Sequence, residues 1–295
     1  MRILLTGGSG FIGRNIMESY LVDKYEIHAP TSKELNVASQ ESVDDYFSRN
    51  KVDIVIHSAV KPSHRNAVDF NDILQTNATM FCNLERHNHH YQKMLVVGSG
   101  AIYDLRNYRP KMSEEQWREF VPADVHGFCK YMCEKIIEHS SNIYDLRVFG
   151  IFGKYEDYAI RFISNNICKS LYDRPMTIRQ DRVFDYISVE DFVTILDLFI
   201  QHTPKHKSYN ITPDKSIRLS ELAQMVGEVS GNSHPIQIAE SGLGLEYSGD
   251  NSRLMAEFPQ LRFTPIRDSI ERLYRWYEGQ KAEGKLDEEV LKFDK

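Results

Sequence analysis

The chain opens MRILLTGGSGFIG over residues 1–13, and this stretch decides the fold. A short apolar run, Ile3-Leu4-Leu5, stops at Thr6-Gly7-Gly8-Ser9-Gly10, and Phe11-Ile12-Gly13-Arg14-Asn15-Ile16 continues in a helical pattern. The order is strand, glycine turn, helix. Gly7 and Gly10 let the backbone turn tightly and come close to a pyrophosphate, and Gly13 lets the helix pack against the strand. The helix start then offers N–H groups and a positive dipole end to the phosphates. An ordinary glycine-rich turn is the plain alternative. A position at residue 7, between an apolar strand and an amphipathic helix, favours the phosphate cradle.

Outward from this unit, strand and helix alternate. Residues 25–29 read as a second strand and 41–49 as a helix. Val52-Asp53-Ile54-Val55-Ile56-His57 is a nearly continuous apolar run, as in a buried parallel strand. Residues 73–90 read as helix, 93–97 as strand, 126–139 as helix and 143–149 as strand. Such alternation implies right-handed βαβ crossovers and a Rossmann-type, doubly wound α/β sheet, with ligand at the carboxyl ends of the strands. The second half is less regular. It reads as a helix over 219–229 capped by Ser220 or a neighbour, a short strand over 236–239, a helix over 266–277, and a charged, solvated tail over 278–295. The expected division is a dinucleotide-binding domain over 1–150, completed by about 183–212. A small C-terminal α/β substrate-binding domain takes 151–182 and 213–295.

A chain of 295 residues, 41% hydrophobic and 26% charged, can bury a sizeable core. Its net charge of −6 argues against nucleic-acid or anionic-membrane partners. No apolar stretch approaches a membrane span, and with the first strand starting at residue 2 or 3 no signal peptide is expected. Cys82, Cys129, Cys133 and Cys168 lack CxxC spacing, so the expectation is a reduced, cytoplasmic protein. His87, His89 and His90 read as an exposed helix end. His126, Cys129, Cys133 and His139 lie on one helix, which would splay four ligands too widely for a zinc tetrahedron, so no metal site is expected.

TGGSGFIG, VDIVIHSAV (52–60), VVGSGAIYD (96–104), HGFCK (126–130) and FDYISVED (184–191) come in an order that resembles the extended short-chain dehydrogenase/reductase family, in its NAD-dependent epimerase/dehydratase branch. The likeness runs from Met1 to about Tyr277, and ELNV at 34–37 looks most like the GDP-fucose synthases and related 4-keto-sugar reductases. The resemblance implies nucleotide-sugar substrates, a nicotinamide cofactor and a homodimer joined through a four-helix bundle. It also implies a hydroxyl after the fourth strand and a Tyr-x-x-x-Lys pair on the next long helix. Ser99 falls at the hydroxyl position and Lys130 at the lysine position, but His126 stands where the tyrosine belongs. Tyr131 and Lys135 also spell Tyr-x-x-x-Lys, yet position 131 is turned by roughly 140° from 126 on a helix, so Tyr131 reads as a packing aromatic.

Histidine can do acid–base work near neutral pH. Lys130 would push it toward its neutral form. His126 is therefore the expected acid/base residue. The alternatives are that Tyr103, Ser99 or a water handles the proton, or that the chain is a catalytically silent nucleotide-binding or partner-binding protein. Gly150 stands where relatives carry an asparagine, and Phe184 where many carry a diphosphate-gripping arginine. Arg179, Arg182 and Arg253 are the substitute phosphate candidates, with Tyr103 and Gly150 also on the substrate side.

For the cofactor, Gly7, Ser9, Gly10, Phe11, Ile12, Gly13 and Arg14 form the expected cradle. Ser58, Ala59 and Asn77 are expected beside it, with Asp53 structural and His57 near the cofactor. The second strand ends without a carboxylate until Glu34, so Thr31, Ser32 and Lys33, with Arg14, suggest a 2′-phosphate site. NADP(H) is favoured over NAD(H). The expected activity is 4-keto reduction of a nucleotide-sugar in glycan biosynthesis. An epimerase or dehydratase with tightly held NAD is the other catalytic reading.

Overall fold

The computed structural model describes residues 1–64 and 66–291. Along the first half, β1 (Arg2–Thr6), α1 (Phe11–Met17), α2 (Leu21–Lys24), β2 (Glu26–His28), α3 (Gln40–Arg49), β3 (Ile54–His57), α4 (Ile73–Glu85), β4 (Lys93–Ser99), α5 (Val125–Ile137) and β5 (Ile143–Val148) alternate as expected. The second half adds β6 (Gly150–Phe152), α6 (Phe162–Leu171), β7 (Thr177–Asp181), β8 (Val183–Phe184), β9 (Tyr186–Ser188) and α7 (Val189–Gln201). It ends with β10 (Ser208–Ile211), β11 (Ile217–Arg218), α8 (Leu219–Ser230), β12 (Gln237–Leu243), α9 (Ser252–Glu257) and α10 (Ile266–Ala282).

Among the described residues the main sheet has six strands in the order β10-β5-β4-β3-β1-β2, every pair parallel. Strand order reverses between β1 and β3, and the crevice that this opens lies at their carboxyl ends. The two-residue period of the strands divides the core. Ile3, Leu5, Ile54, Ile56 and Leu146 pack with α1 and α7 on one face. Leu4, Val55, Met94 and Val96 pack with α3, α4 and α5 on the other. Both faces are thus covered by helices, which is the doubly wound arrangement. A third core joins Phe152, Ile163, Ile167, Ile178, Leu222, Val226, Ile270 and Leu273, from β6, α6, β7, α8 and α10.

The structure differs from the sequence reading at several ends. The helix from Ile73 stops at Glu85, followed by a 3-10 turn over Asn88–His90. Ser220 does not cap α8: Arg218 holds the N-cap position, and Ser220 donates its N–H and hydroxyl to Asp181. β12 runs on to Leu243 because it pairs in parallel with β7. The charged tail is only partly solvated. α10 continues to Ala282, Arg174 pairs with Glu288, and Leu291 is buried against the third core. Residues 292–295 of that tail lie outside the described residues.

Candidate active site

The turn after β1 has the shape a pyrophosphate requires. Gly7 takes φ +77°, where L side chains rarely sit, and a Cβ there would stand 2.7 Å from the Ala59 nitrogen. A Cβ on Gly13 would stand 2.1 Å from the Gly7 carbonyl oxygen, so this position closes the turn against α1. Gly10 donates its N–H to Gly7 O at 3.0 Å and occupies the N-cap of α1 without a side chain to cap it. No acidic residue stands in the first turn of α1 to compete for an anion. The residues present therefore fit the diphosphate of a dinucleotide.

The end of β3 completes this cradle. Thr6 Oγ1 and His57 Nδ1 lie 2.8 Å apart, and Ala59 N–H donates to Thr6 Oγ1 at 3.3 Å. Asn77 on α4 holds the following loop from both sides, accepting from Lys61 N at 2.7 Å and donating to Lys61 O at 3.0 Å. Asp53 accepts from Arg2 N at 2.7 Å, a structural tie at the start of the sheet.

Ser99 ends β4, and its hydroxyl accepts from Ala101 N at 3.2 Å. α5 begins at Val125, capped by the Asp124 carboxylate on Gly127 N at 2.8 Å. It packs so tightly on the 3-10 turn after Ser99 that a Cβ on Gly127 would stand 2.5 Å from Ala101 O. This contact brings the start of α5 to the end of β4. Lys130, one turn on, donates its Nζ to Val97 O at 2.9 Å. His57, Asn77, His126 and Lys130 line one narrow cavity of about 20 Å³. A larger cavity, about 380 Å³, lies among β9, the 213–217 loop and the start of α10, and none of the candidate residues lines it.

The electrostatics of the small cavity are set by burial and one cation. Burial and the Lys130 ammonium push His57 down to about 3. The same two causes, in the same order, push His126 down to about 4, helped by Arg161 and opposed by Asp124. His126 is therefore a neutral imidazole at neutral pH. It can accept a proton or share a hydrogen bond, but it carries no imidazolium proton to give. Tyr131 packs edge-on against Trp117 with ring centroids 5.2 Å apart, as its helical phase requires.

Other candidates are engaged elsewhere. Tyr103 is buried, donating its hydroxyl to Asn210 Oδ1 at 2.5 Å and accepting from Arg147 at 2.8 Å, so it faces the interior and not a ligand. Gly150 is a packing glycine, since a Cβ there would stand 2.3 Å from Asp185 O. Arg253 bonds Ser208 O at 2.9 Å and pairs with Glu114 and Glu115. Arg179 is exposed and pairs with Glu240 at 2.9 Å. Arg182 lies beside Gly244, within 3.3 Å of where a Cβ would stand. Thr31 spends its N–H and hydroxyl on Glu34, at 2.8 and 2.9 Å. Arg14 stacks on Tyr155, 5.1 Å from its ring centre. Ser32 and Lys33 are exposed in the turn that follows β2.

Two residues near Ser99 and His126 escaped the sequence reading. Arg161, at the N-cap of α6, acts electrostatically on His126, His64, Glu156 and Tyr186. Tyr247 brings a phenol from the C-terminal half to Ser99 and Gly100. Neither belongs to a local motif, so only a three-dimensional contact could reveal it.

Residues 3–212 match the model of the NAD dependent epimerase/dehydratase family. The chain belongs to that family. GDP-6-deoxy-D-talose 4-dehydrogenase of Aggregatibacter actinomycetemcomitans is 25% identical over 300 residues, covering 93% of this chain and 97% of that protein. Among solved structures, UDP-glucose 4-epimerase of Thermotoga maritima with UDP-glucose superposes with a TM-score of 0.82 at 17% identity, covering 95% of this chain and 100% of that one. GDP-mannoheptose C4 reductase of Campylobacter jejuni, with NADP bound, gives 0.80 at 18% identity, covering 94% and 98%. At these identities the structural likeness speaks for the extended short-chain dehydrogenase/reductase fold. Among the described residues no helix is long and apolar enough to cross a membrane.

Proposed function

We propose that this chain is an NADP(H)-dependent reductase of a nucleotide-activated 4-keto sugar, serving glycan biosynthesis. The observation that supports the reading is the packing of α5 on the end of β4, where Lys130 bonds Val97 O two residues before Ser99 and lines one cavity with His126 and with Ala59, the neighbour of Gly7. The full-length similarity to a GDP-sugar 4-dehydrogenase supports the choice of substrate class. A bound nicotinamide supplies the hydride. Gly7, Gly10 and Gly13 admit the diphosphate, with Ser9, Phe11, Ile12, Ser58 and Ala59 around it. Ser99 holds the carbonyl oxygen. Lys130 meets the nicotinamide ribose and, after burial, adds to what keeps His126 uncharged. Glu34 has turned its charge onto Thr31, and Lys33 makes no ion pair among the described residues, which supports NADP(H) over NAD(H). The third core is the substrate-binding half in this reading, and Arg161 or Arg182 meets the sugar diphosphate. Val125 and Met132, exposed on α5, support a homodimer formed through α4 and α5.

A second reading, a silent nucleotide-binding protein, is favoured by one observation: His126 is enclosed in the cavity it shares with Lys130, and burial and that ammonium disfavour the imidazolium form that would give a proton. Calorimetric titration of cofactor-free protein with NADPH and then NADH, followed by NADPH oxidation assays with 4-keto-6-deoxy GDP-sugars, tests the proposal. Tight NADPH, weak NADH and turnover are expected. Binding without turnover of any keto-sugar would move the chain to the silent reading, and no binding of either cofactor would overturn both.

A further inference from the structure

α5 offers no phenol at its cofactor-facing start, yet a phenol stands at Ser99, supplied by the other half of the chain. Tyr247 follows β12 and is fixed by its backbone, its N–H donating to Val183 O at 2.9 Å and its carbonyl accepting from Asp185 N at 3.1 Å. Its ring is boxed by Tyr108, Phe184 and Phe149, with centroids 4.8, 4.8 and 5.2 Å away. This box aims the hydroxyl at the end of β4. A Cβ on Gly100 would stand 2.8 Å from the Tyr247 oxygen, so a glycine after Ser99 is what leaves the phenol its place. The Ser99 hydroxyl is the polar side chain that faces it, opposing the effect of burial on its ionisation.

We propose that Tyr247 is the proton donor to the sugar oxygen held at Ser99, taking the part for which the start of α5 holds only His126. The assignment rests on the reductase reading above. The bound nicotinamide is the reductant. As hydride adds to the carbonyl carbon, the C=O π pair moves onto oxygen, the Tyr247 O–H bond breaks, and a new O–H bond forms on the sugar oxygen. The tyrosinate takes a proton back from water. Burial raises the ionisation of the phenol, so Tyr247 stays protonated through the neutral range, where His126 has no proton to give.

The test uses the full-length protein, its Tyr247→Phe and His126→Ala variants, NADPH and a 4-keto-6-deoxy GDP-sugar. Removing the phenol is expected to lower kcat by about 100- to 10,000-fold, the usual range for a lost general acid, with NADPH affinity by fluorescence unchanged within about twofold. His126→Ala is expected to lose less than about tenfold in kcat. A Tyr247→Phe enzyme within about threefold of the parent, or a loss carried by His126→Ala instead, overturns the assignment while the reductase reading stands. A parent that binds NADPH but turns over no keto-sugar overturns the reading and this assignment together. Should Tyr247→Phe fold poorly, a fluorinated tyrosine at 247 keeps the ring and lowers the phenol pKa. kcat then changes in step with phenol acidity across a series of fluorotyrosines if Tyr247 gives the proton. It stays within about twofold of the parent if Tyr247 only packs, which overturns the assignment.

Discussion

The turn after β1 and the start of α5 both serve the crevice at the strand ends, but they tolerate change differently. In the turn, the work is done by backbone shape. Gly7 and Gly13 lie so close to Ala59 and to the turn itself that a side chain at either would collide with backbone. At α5, the work is done by one side-chain proton, and the pattern is broken at His126. A backbone cradle must be built where the phosphates sit, from that segment alone. A proton donor need only arrive within hydrogen-bond reach, from any segment. Tyr247 arrives from more than a hundred residues downstream. The contrast teaches that a departure from pattern costs binding in the first region and only relocates a role in the second.

The sharpest way to break this comparison is Gly13→Ala. Its methyl group would collide with the Gly7 carbonyl, and overpacking of this kind costs about 1–3 kcal/mol. NADPH affinity, read by calorimetry, is expected to fall by about 10- to 100-fold. His126→Ala should leave that affinity within about threefold, since no phosphate contact is asked of it. Equal losses in the two variants would erase the distinction.

The next effect is on stability in acid. Burial, with the Lys130 ammonium, pushes His57 and His126 down to about 3 and about 4 in the folded chain, below the ordinary histidine value of 6.5. The unfolded chain therefore binds more protons than the folded one below that value. Their contribution is full above pH 6.5 and is lost as pH falls toward 4 and 3, on the order of 3 kcal/mol for His126 alone. Glu156 slopes the opposite way: burial lifts it to about 8, so its contribution is present below pH 4.5 and lost as pH rises through 8. Urea unfolding of the parent and of His126→Gln at pH 7.5 and pH 5 separates the terms. The variant should lose less stability on acidification, and an unchanged difference would mean that His126 is solvated.

Much of the fold is legible in the sequence. The β1 run, the glycine turn and the alternating buried strands determine the sheet, because each strand is apolar on the face the helices cover. The places of Ser99 at the end of β4 and of Lys130 on α5 are legible because each keeps a fixed offset from its element, whereas their chemical roles belong to the proposal. The arginines are not legible in this way, because a guanidinium reads the same whether it faces a ligand or a carboxylate. Arg253 proves to be held by Glu114, Glu115 and Ser208. Tyr103, adjacent in sequence to the site, turns inward to Asn210 and Arg147 because β10 and β5 lie behind it. Glu34 was visible in the sequence, but not its return onto Thr31.

A smaller effect probes the cation shared by the two regions. Lys130→Met removes the charge that helps hold both histidines neutral. Their NMR titration midpoints should rise, yet stay below the ordinary value, because burial is the larger cause at each. Cofactor affinity should fall by about tenfold with the lost charged hydrogen bond to the ribose. Unmoved histidines would place the Lys130 ammonium outside the cavity.

The smallest effects come from the arginines, and they sharpen the comparison by locating the substrate phosphates. Arg253, in the first turn of α9, ties that helix to Glu114, a carboxylate raised by burial and held down by Asn210, Arg253 and Arg147. Arg253→Ala removes one of those restraints, so the variant should melt about 3–6 °C lower, the result of losing a half-buried charged contact. Its KM for the sugar nucleotide should stay within about twofold, since the guanidinium is already engaged. Arg179→Ala, at an exposed ion pair, should change neither quantity measurably. A rise in KM of about tenfold in Arg253→Ala at unchanged kcat would show that this arginine leaves its carboxylates for the substrate, as a lost uniform binding contact does. The phosphate grip would then belong, like the cradle, to a fixed place in the pattern. An unchanged KM leaves Arg161 and Arg182 as the groups to test, and extends to phosphate recognition the relocation that Tyr247 illustrates for the proton.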